Sequence, residues 1–452
     1  MEKLKYERPI IRKLNTGLMN KYGTAPELNP VTHIDGVSVA SLTKKYGSPL
    51  FVLSERKIRE KYRAVVRAFS TRYPKVQFAW SYKTNYLNAV CKVFHQEGSW
   101  AEVVSGFEYD KAIMNGVPSE KIIFNGPGKT EDELEKAIQN QSLIHIDHLD
   151  ELYTIIRLSN QFKQQPRIAI RVNMDTGVYP MWDRFGFNYE NGQAWDAINK
   201  IMASQKLKLI GLHCHIGTFM LAPSAYEVAA TKLAELVVRI KKKFKHSIEY
   251  LDLGGGLPSI NNLKGAFLPG VDSVPPVDAF ADAIASGILN SEIHPDQLPL
   301  LIMESGRALI DEAGYLLGTV IANKRLSTGR RATILDFGVN VLFTSFWYDH
   351  KVSPAQEFSR YKEEMELFGP LCMNIDVVRE NILLPPLNIG DRVVVHNIGA
   401  YNLTQWMQFI TLRPAVVLID LDDKTHVIRQ SETLEYIEQM EQVPDHLKAF
   451  NL

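Results

Sequence analysis

Lys83 is the first residue along this chain whose type and setting suggest chemistry. It stands in Ser81-Tyr82-Lys83-Thr84-Asn85, directly after the apolar run Val76-Gln77-Phe78-Ala79-Trp80. A run of that kind, bounded by polar residues, predicts a buried strand. A lysine amine at the end of a strand can attack a carbonyl and form a Schiff base. Three later stretches share the setting. His213-Cys214-His215-Ile216-Gly217-Thr218 closes one apolar run, Leu251-Asp252-Leu253-Gly254-Gly255-Gly256 a second, and Glu304-Ser305-Gly306-Arg307 a third. Successive glycines let backbone N–H groups approach an anion with no Cβ in the way. Taken singly, each stretch has a plain structural reading: a solvated lysine, a satisfied core histidine, a strand-to-helix turn, a surface ion pair. Falling together at one rim, they are read as a site.

The elements that must position them alternate. Strands are predicted over 76–82, 101–105, 121–125, 143–147, 167–173, 207–215, 248–253 and 300–304, with amphipathic segments between them. Leu50-Phe51-Val52-Leu53 is a further short strand, and a helix follows Ser54 with Ile58, Tyr62 and Phe69 on one face. Thr130-Glu131-Asp132-Glu133 has capping-box spacing, and Asp147 can cap the segment after it. Alternating βα units imply a parallel sheet with helices outside. Eight of them predict a closed (β/α)8 TIM barrel over residues 47–310. Lys83 then closes the first strand, and the other three stretches close the sixth, seventh and eighth. In such barrels the loops after strands seven and eight commonly bind phosphate. After Gly306 the pattern changes to strands and turns over 315–321, 332–335, 392–396 and 415–418, with a hairpin-like 421–425. The fold class is α/β plus β, a barrel with a C-terminal, mostly antiparallel β domain.

Composition bounds the function. The chain has 452 residues, 45% apolar and 23% charged, near the soluble globular average. Its 51 basic and 51 acidic residues leave no footprint for nucleic acid or an anionic membrane. The basic run over 239–245 reads as the solvated end of a helix. Cys91, Cys214 and Cys372 are too few and scattered for a disulfide framework or a zinc site, so no metal is expected. The N-terminus lacks the apolar core of a signal peptide, and no apolar run approaches the ~20 residues of a membrane span. A cytoplasmic protein acting on a small molecule is the expectation.

The rim set matches what pyridoxal 5'-phosphate needs. Its phosphate needs N–H donors and a cation, which Gly254, Gly255, Gly256, Thr218 and Arg307 supply. Its aldehyde needs Lys83. Its ring nitrogen needs a carboxylate, Glu304, so that the ring can accept electrons. His215 is available to stack on the ring face.

In sequence order, Tyr82-Lys83-Thr84-Asn85, Glu102-Val103-Val104-Ser105-Gly106, the stretch 121–130, Gly211-Leu212-His213-Cys214-His215-Ile216-Gly217, the triple glycine, Glu304-Ser305-Gly306-Arg307, Gly369-Pro370-Leu371-Cys372 and Gly399-Ala400-Tyr401 form a set. Over nearly its whole length the chain resembles the fold-type III pyridoxal-phosphate decarboxylases, in particular the diaminopimelate decarboxylase branch. The resemblance implies an alanine racemase/ornithine decarboxylase-like architecture, with residues 1–46 and 311–452 forming the β domain. It implies Lys83 as the Schiff-base lysine, His215 as the stacking group and Glu304 as the partner of the ring nitrogen. Thr218 stands where the family usually has a phosphate-binding serine, and Tyr401 reaches the phosphate from the β domain. Cys372 is implied to come from the partner subunit of a head-to-tail homodimer with shared active sites, and to protonate the carbon that CO2 leaves. Asp376 lies in the same loop.

Two positions depart from the branch. Thr344, within the substrate-side stretch that runs from Val341 to Tyr348, occupies the place of an arginine that grips the far carboxylate. Met373 occupies the place of a glutamate that binds the far ammonium. The expected substrate is therefore a diamino acid or a modified, conjugated amino acid, with Arg184 a candidate replacement cation. Trp182, Phe346, Trp347 and Trp406 are read as core. The alternatives are an amino-acid racemase on the same cofactor and an inactive decarboxylase homologue with a regulatory binding role.

Overall fold

The structure, a computed structural model, describes residues 28–266, 268–359 and 361–448. Eight parallel strands form the barrel: Val76–Ser81, Trp100–Val103, Ile122–Phe124, Leu143–Ile146, Arg167–Asn173, Lys208–His213, Tyr250–Asp252 and Leu300–Met303. The ring closes where the eighth strand pairs with the first, Phe78 opposite Met303, and where the sixth pairs with the fifth and the seventh. Each predicted barrel strand is present. Most predictions overran the carboxyl end, since residues such as Tyr82, Ser105, His215 and Glu304 continue the polar–apolar pattern after leaving the ladder.

Strand alternation builds the site. Residues two apart face the same side of a sheet. Ala79, Ile123, Leu143, Ala169, Ile210, Tyr250 and Ile302 form one apolar cluster, with Trp100 packed against it. Two residues further along their strands stand Ser81, Asn125, His145, Arg171, Asp252 and Glu304, and Glu102 follows Trp100 in the same way. An apolar plug thus carries a polar layer directly above it. The larger core lies between the strands and the helices outside them.

Helix starts follow local chemistry. Thr130 and Glu133 form the predicted capping box, and Ser54 caps Glu55–Ser70. Asp147 does not cap the next helix; His148 does, accepting from the Glu151 N–H. Asp147 instead lies beside Arg171, at 3.4 Å.

The second sheet is built on the twelve-residue strand Gly314–Arg325, which pairs antiparallel with Arg392–His396, Arg331–Leu335 and Leu50–Ser54. Leu50–Ser54 also pairs in parallel with Val416–Ile419. That strand fell inside the 47–310 barrel assignment, yet it belongs to the β domain. A fully buried strand of four apolar residues and a serine reads alike in either sheet, so only pairing separates the two. Val39 and Leu42 pack on this sheet beside Leu50, Val52, Tyr315 and Val417, which joins residues 28–46 to it. Residues 1–27 of the expected 1–46 segment lie outside the described residues. Four strands of this sheet were not anticipated: Val352–Pro354, Glu363–Phe368, Val377–Leu384 and Thr425–Arg429. They are short or half-exposed and carry weak apolar signals. Among the described residues no helix is long and apolar enough to cross a membrane.

Candidate active site

A cavity of about 260 Å³ opens at the carboxyl rim, where the polar layer of the barrel meets the β domain. Lys83 enters it from a single 3-10 turn, Tyr82–Thr84, that follows the first strand. Its amine donates to both oxygens of Glu102, at 2.7 and 2.6 Å. Glu102 is fully buried and also accepts from Ser81 Oγ and from Asn125 Nδ2. The same Asn125 amide donates to Glu304 Oε1. Lys83 and Glu304 are thereby linked across the barrel through two side chains. Glu304 also lies 3.5 Å from His213 Nε2 and 3.9 Å from His145 Nδ1, and donor atoms of these three buried residues fall within 4.8 Å of one another.

Burial and charge act against each other here. Burial disfavours a charged Lys83, but Glu102, Glu304 and Tyr401 outweigh it and hold the amine above the ordinary lysine range. Burial, reinforced by nearby cations, pushes His213 and His215 well below the usual imidazole value, and His145 follows for the same reason. All three rings are neutral. Asp252 is pushed well above the carboxylate range by burial and by facing Glu304.

The triple glycine is set by close approach. A Cβ on Gly255 would lie 2.5 Å from the Glu304 carbonyl oxygen, and one on Gly256 2.3 Å from that of Gly217. Gly254 and Gly256 also take φ of +66° and +92°. Not all three N–H groups face an anion, however. Gly254 N–H donates to Asp252 Oδ1 at 2.8 Å, and Gly255 N–H to His215 Nδ1 at 3.0 Å. This corrects the expectation of three phosphate donors. The Gly255 bond instead fixes the His215 ring, which meets the Trp182 ring edge-on at 5.5 Å.

Arg307 follows Gly306 and is nearly fully buried. Its guanidinium lies 4.7 Å from the Tyr401 ring and 5.3 Å from Tyr348, and its Nη1 has no hydrogen-bond partner among the described residues. Tyr401 sits in a left-handed turn, φ +66°, with its N–H on the Thr84 carbonyl at 2.8 Å. Thr404 Oγ1 donates to the Lys83 carbonyl at 2.9 Å, so the β domain holds the lysine's own turn.

The family described as "Pyridoxal-dependent decarboxylase, pyridoxal binding domain" matches residues 55–311, more than half of the chain. The diaminopimelate decarboxylase of Methanocaldococcus jannaschii is 30% identical over 92% of this chain and 95% of its own length. The Bacillus subtilis enzyme of that name is 27% identical over 89% of this chain and 93% of its own. A crystal structure of the M. jannaschii enzyme in co-complex with L-lysine superposes with a TM-score of 0.85 at 29% identity, covering 93% of this chain and 98% of that one. The chain belongs to the pyridoxal-dependent decarboxylases.

As a decarboxylase of this family it is a pyridoxal-phosphate-dependent carboxy-lyase, and its cavity can be read for that cofactor. Lys83, His215, Glu304 and Arg307 line the cavity, with Thr218, Gly255, Gly256 and Tyr401. Gly254 packs behind the wall. Other expectations for this decarboxylase are corrected. Thr344 is buried, joined to His350 Nε2 at 2.8 Å and to Asn402 Oδ1 at 2.9 Å, and does not line the cavity. Tyr348 is buried against Arg307 and Phe219 and supports the arginine from behind. Asp376 uses its carboxylate on the Val339 and Leu371 N–H groups, each at 2.8 Å, and so holds the loop that bears Cys372. Cys372 is exposed and Met373 half-buried, and neither lines this chain's own cavity. Arg184 is exposed, its guanidinium 4.9 Å from the Phe185 ring. Trp182 is a cavity residue rather than core, Phe346 and Trp347 are exposed, and Trp406 packs between Arg413 and Arg429. Sequence reasoning did not single out Glu102, Asn125 and Arg171. Glu102 and Asn125 lay within quoted motifs, whereas Arg171 carried no signal beyond a charge inside an apolar strand.

Proposed function

We propose that this protein removes the α-carboxylate of a diamino acid, or of a modified amino acid built on one. The observation that carries the reading is the side-chain line Lys83–Glu102–Asn125–Glu304 across a single cavity, with the unpaired Arg307 donor at its edge. The residues present fit pyridoxal phosphate. Lys83 would hold its aldehyde, Glu304 its ring nitrogen and His215 its ring face. Arg307, Thr218, Gly256 and Tyr401 would hold its phosphate. When bound, the cofactor supplies an electron sink for the carbanion that CO2 leaves.

The chain's own residues do the rest. Asn125 orients the Glu304 carboxylate, and the neutral His145 and His213 beside it leave the ring-nitrogen position to a single acid. Trp182 and Phe185 wall the cavity and exclude water. Cys372, exposed on the β domain, would return a proton to the α carbon from a second copy of the chain, which makes the active unit a head-to-tail homodimer. The names of the relatives and the L-lysine co-complex support a diamino acid. Met373, which stands where the branch has an ammonium-binding glutamate, favours a substrate whose far end differs from theirs. Balanced charge and three scattered cysteines support a cytoplasmic setting.

The test is CO2 release by the loaded protein from meso-diaminopimelate, L- and D-lysine, L- and D-ornithine, arginine and carboxylated diamino-acid conjugates. Release from at least one supports the reading. A racemised amino acid without CO2 would establish the racemase instead. Lys83→Ala should abolish both turnover and the visible absorbance of attached cofactor, and persistence of both would sink the assignment.

A further inference from the structure

Glu102 stands one residue before the end of the second strand with its carboxylate fully buried, while the Lys83 side chain beside it is 39% exposed to the cavity. Three donors at the ends of the first and third strands fix that carboxylate: Lys83 Nζ on both oxygens, Ser81 Oγ on Oε2 and Asn125 Nδ2 on Oε1. The lysine faces Glu102, Glu304 and Tyr401, with His213 at the end of the sixth strand, His215 just after it and Glu108 behind the second. Glu102 faces Arg171, Asp252 and Glu108 besides. The balance leaves Lys83 as an ammonium. An ammonium has no lone pair and cannot attack an aldehyde, so a proton must leave it first.

We propose that Glu102 takes that proton when Lys83 joins the cofactor's aldehyde, and holds the amine in place until then. The inference rests on the reading of Lys83 as the attachment point. One proton passes from Lys83 Nζ to a Glu102 carboxylate oxygen. The freed lone pair attacks the aldehyde carbon, a carbon–nitrogen double bond forms, and the aldehyde oxygen leaves as water with the two remaining amine hydrogens. Because the proton moves within the Lys83–Glu102 pair, attachment draws no proton from or to bulk solvent. Without Glu102 the amine must first lose its proton to solvent. Its reactive fraction then rises about tenfold per pH unit below its own pKa.

The experiment follows pyridoxal phosphate uptake by the apo-protein through the absorbance of attached cofactor. Glu102 is the main charge that holds the amine protonated against burial, so competitive acetylation first locates the titration of Lys83 in Glu102→Gln, and wild type and variant are then compared at pH values below it. The ratio of the two rates cancels the cofactor's own titration. It should fall about tenfold per unit as pH rises, while Glu102→Asp should keep the wild-type profile at a lower rate. A ratio that does not change with pH overturns the proposal. Borohydride reduction and peptide mapping accompany each run. Cofactor attached at a lysine other than Lys83 would defeat the underlying reading, whereas attachment at Lys83 with a constant ratio defeats only the role of Glu102. Competitive acetylation of Lys83 in the wild-type apo-protein needs no variant to fold. An amine already neutral at pH 7 there would also overturn the proposal.

Discussion

Arg307 packs its guanidinium against the rings of Tyr401, Tyr348 and Phe219, and its buried Nη1 has no partner among the described residues. A buried donor without an acceptor costs free energy that a bound anion can recover. The rings pre-position the charge, so little side-chain entropy is lost when the anion arrives. Replacing Arg307 by Met should therefore weaken cofactor affinity. A hydrogen bond to a charged group contributes about 1.5–3 kcal/mol, so the loss should be roughly 10- to 100-fold, read by titrating the apo-protein with pyridoxal phosphate. An unchanged affinity would remove Arg307 from the phosphate site. Cys372 makes the complementary case: Cys372→Ala should slow product formation while cofactor affinity stays at the wild-type value.

At the level of elements, the site depends on loops that cannot move independently. The turn after the seventh strand touches the eighth so closely that a Gly255 Cβ would meet the Glu304 carbonyl at 2.5 Å. Overpacking of this kind typically costs about 1–3 kcal/mol. Gly255→Ala should lower apo-protein stability by that order in chemical denaturation and should weaken cofactor binding at the same time. Asp311 ties the loops of the two domains together. Its Oδ2 accepts from Ser259 Oγ at 2.6 Å and Asn261 Nδ2 at 2.9 Å, and its Oδ1 from the Ala400 N–H at 3.2 Å, next to Tyr401. Burial pushes its carboxyl up to about 6, against the pull of Arg307 and these donors. The folded protein therefore holds a proton that the unfolded chain, near pKa ~3.9, releases. The stability from this group is fully present below about pH 4 and is lost as pH rises through about 6, a swing of roughly 3 kcal/mol at most. Asp311→Asn should flatten that part of the apo-protein's stability profile, measured by denaturant unfolding at several pH values across the window.

At the scale of the whole molecule, the exposed Cys372 and the exposed Ile375, Phe346 and Trp347 belong to the β domain, and Cys372 lies outside this chain's own cavity. In the proposed homodimer each site takes its lysine from one copy and its thiol from the other. Mixing Lys83→Ala with Cys372→Ala protein should then restore activity through mixed dimers that each hold one intact site. Random pairing gives about one quarter of the wild-type rate. No recovery after subunit exchange would mean that thiol and lysine act from the same chain or not at all. Asp376→Ala, which frees the Cys372 loop, should lower kcat with cofactor affinity unchanged.

The amino-acid sequence by itself determined the eight barrel strands and the residues at their ends. Parallel strands buried on both faces leave contiguous apolar runs, as in Ile122–Phe124 and Leu300–Met303, and the polar residue that ends each run stands at the rim. It also determined the order of motifs that links Lys83, His215, Glu304 and Arg307. Only the tertiary structure decided which sheet takes Leu50–Ser54, since a short run of four buried apolar residues suits either partner. Only it showed that Thr344, Tyr348 and Asp376 are occupied inside the β domain, because a motif position records residue type and not the direction of a side chain. The joining of Lys83 to Glu102 and Asn125 was likewise invisible in the chain. It follows from barrel closure and strand register, which bring Asn125 onto Glu304 across 179 residues of sequence and join Lys83 and Glu102 to that pair.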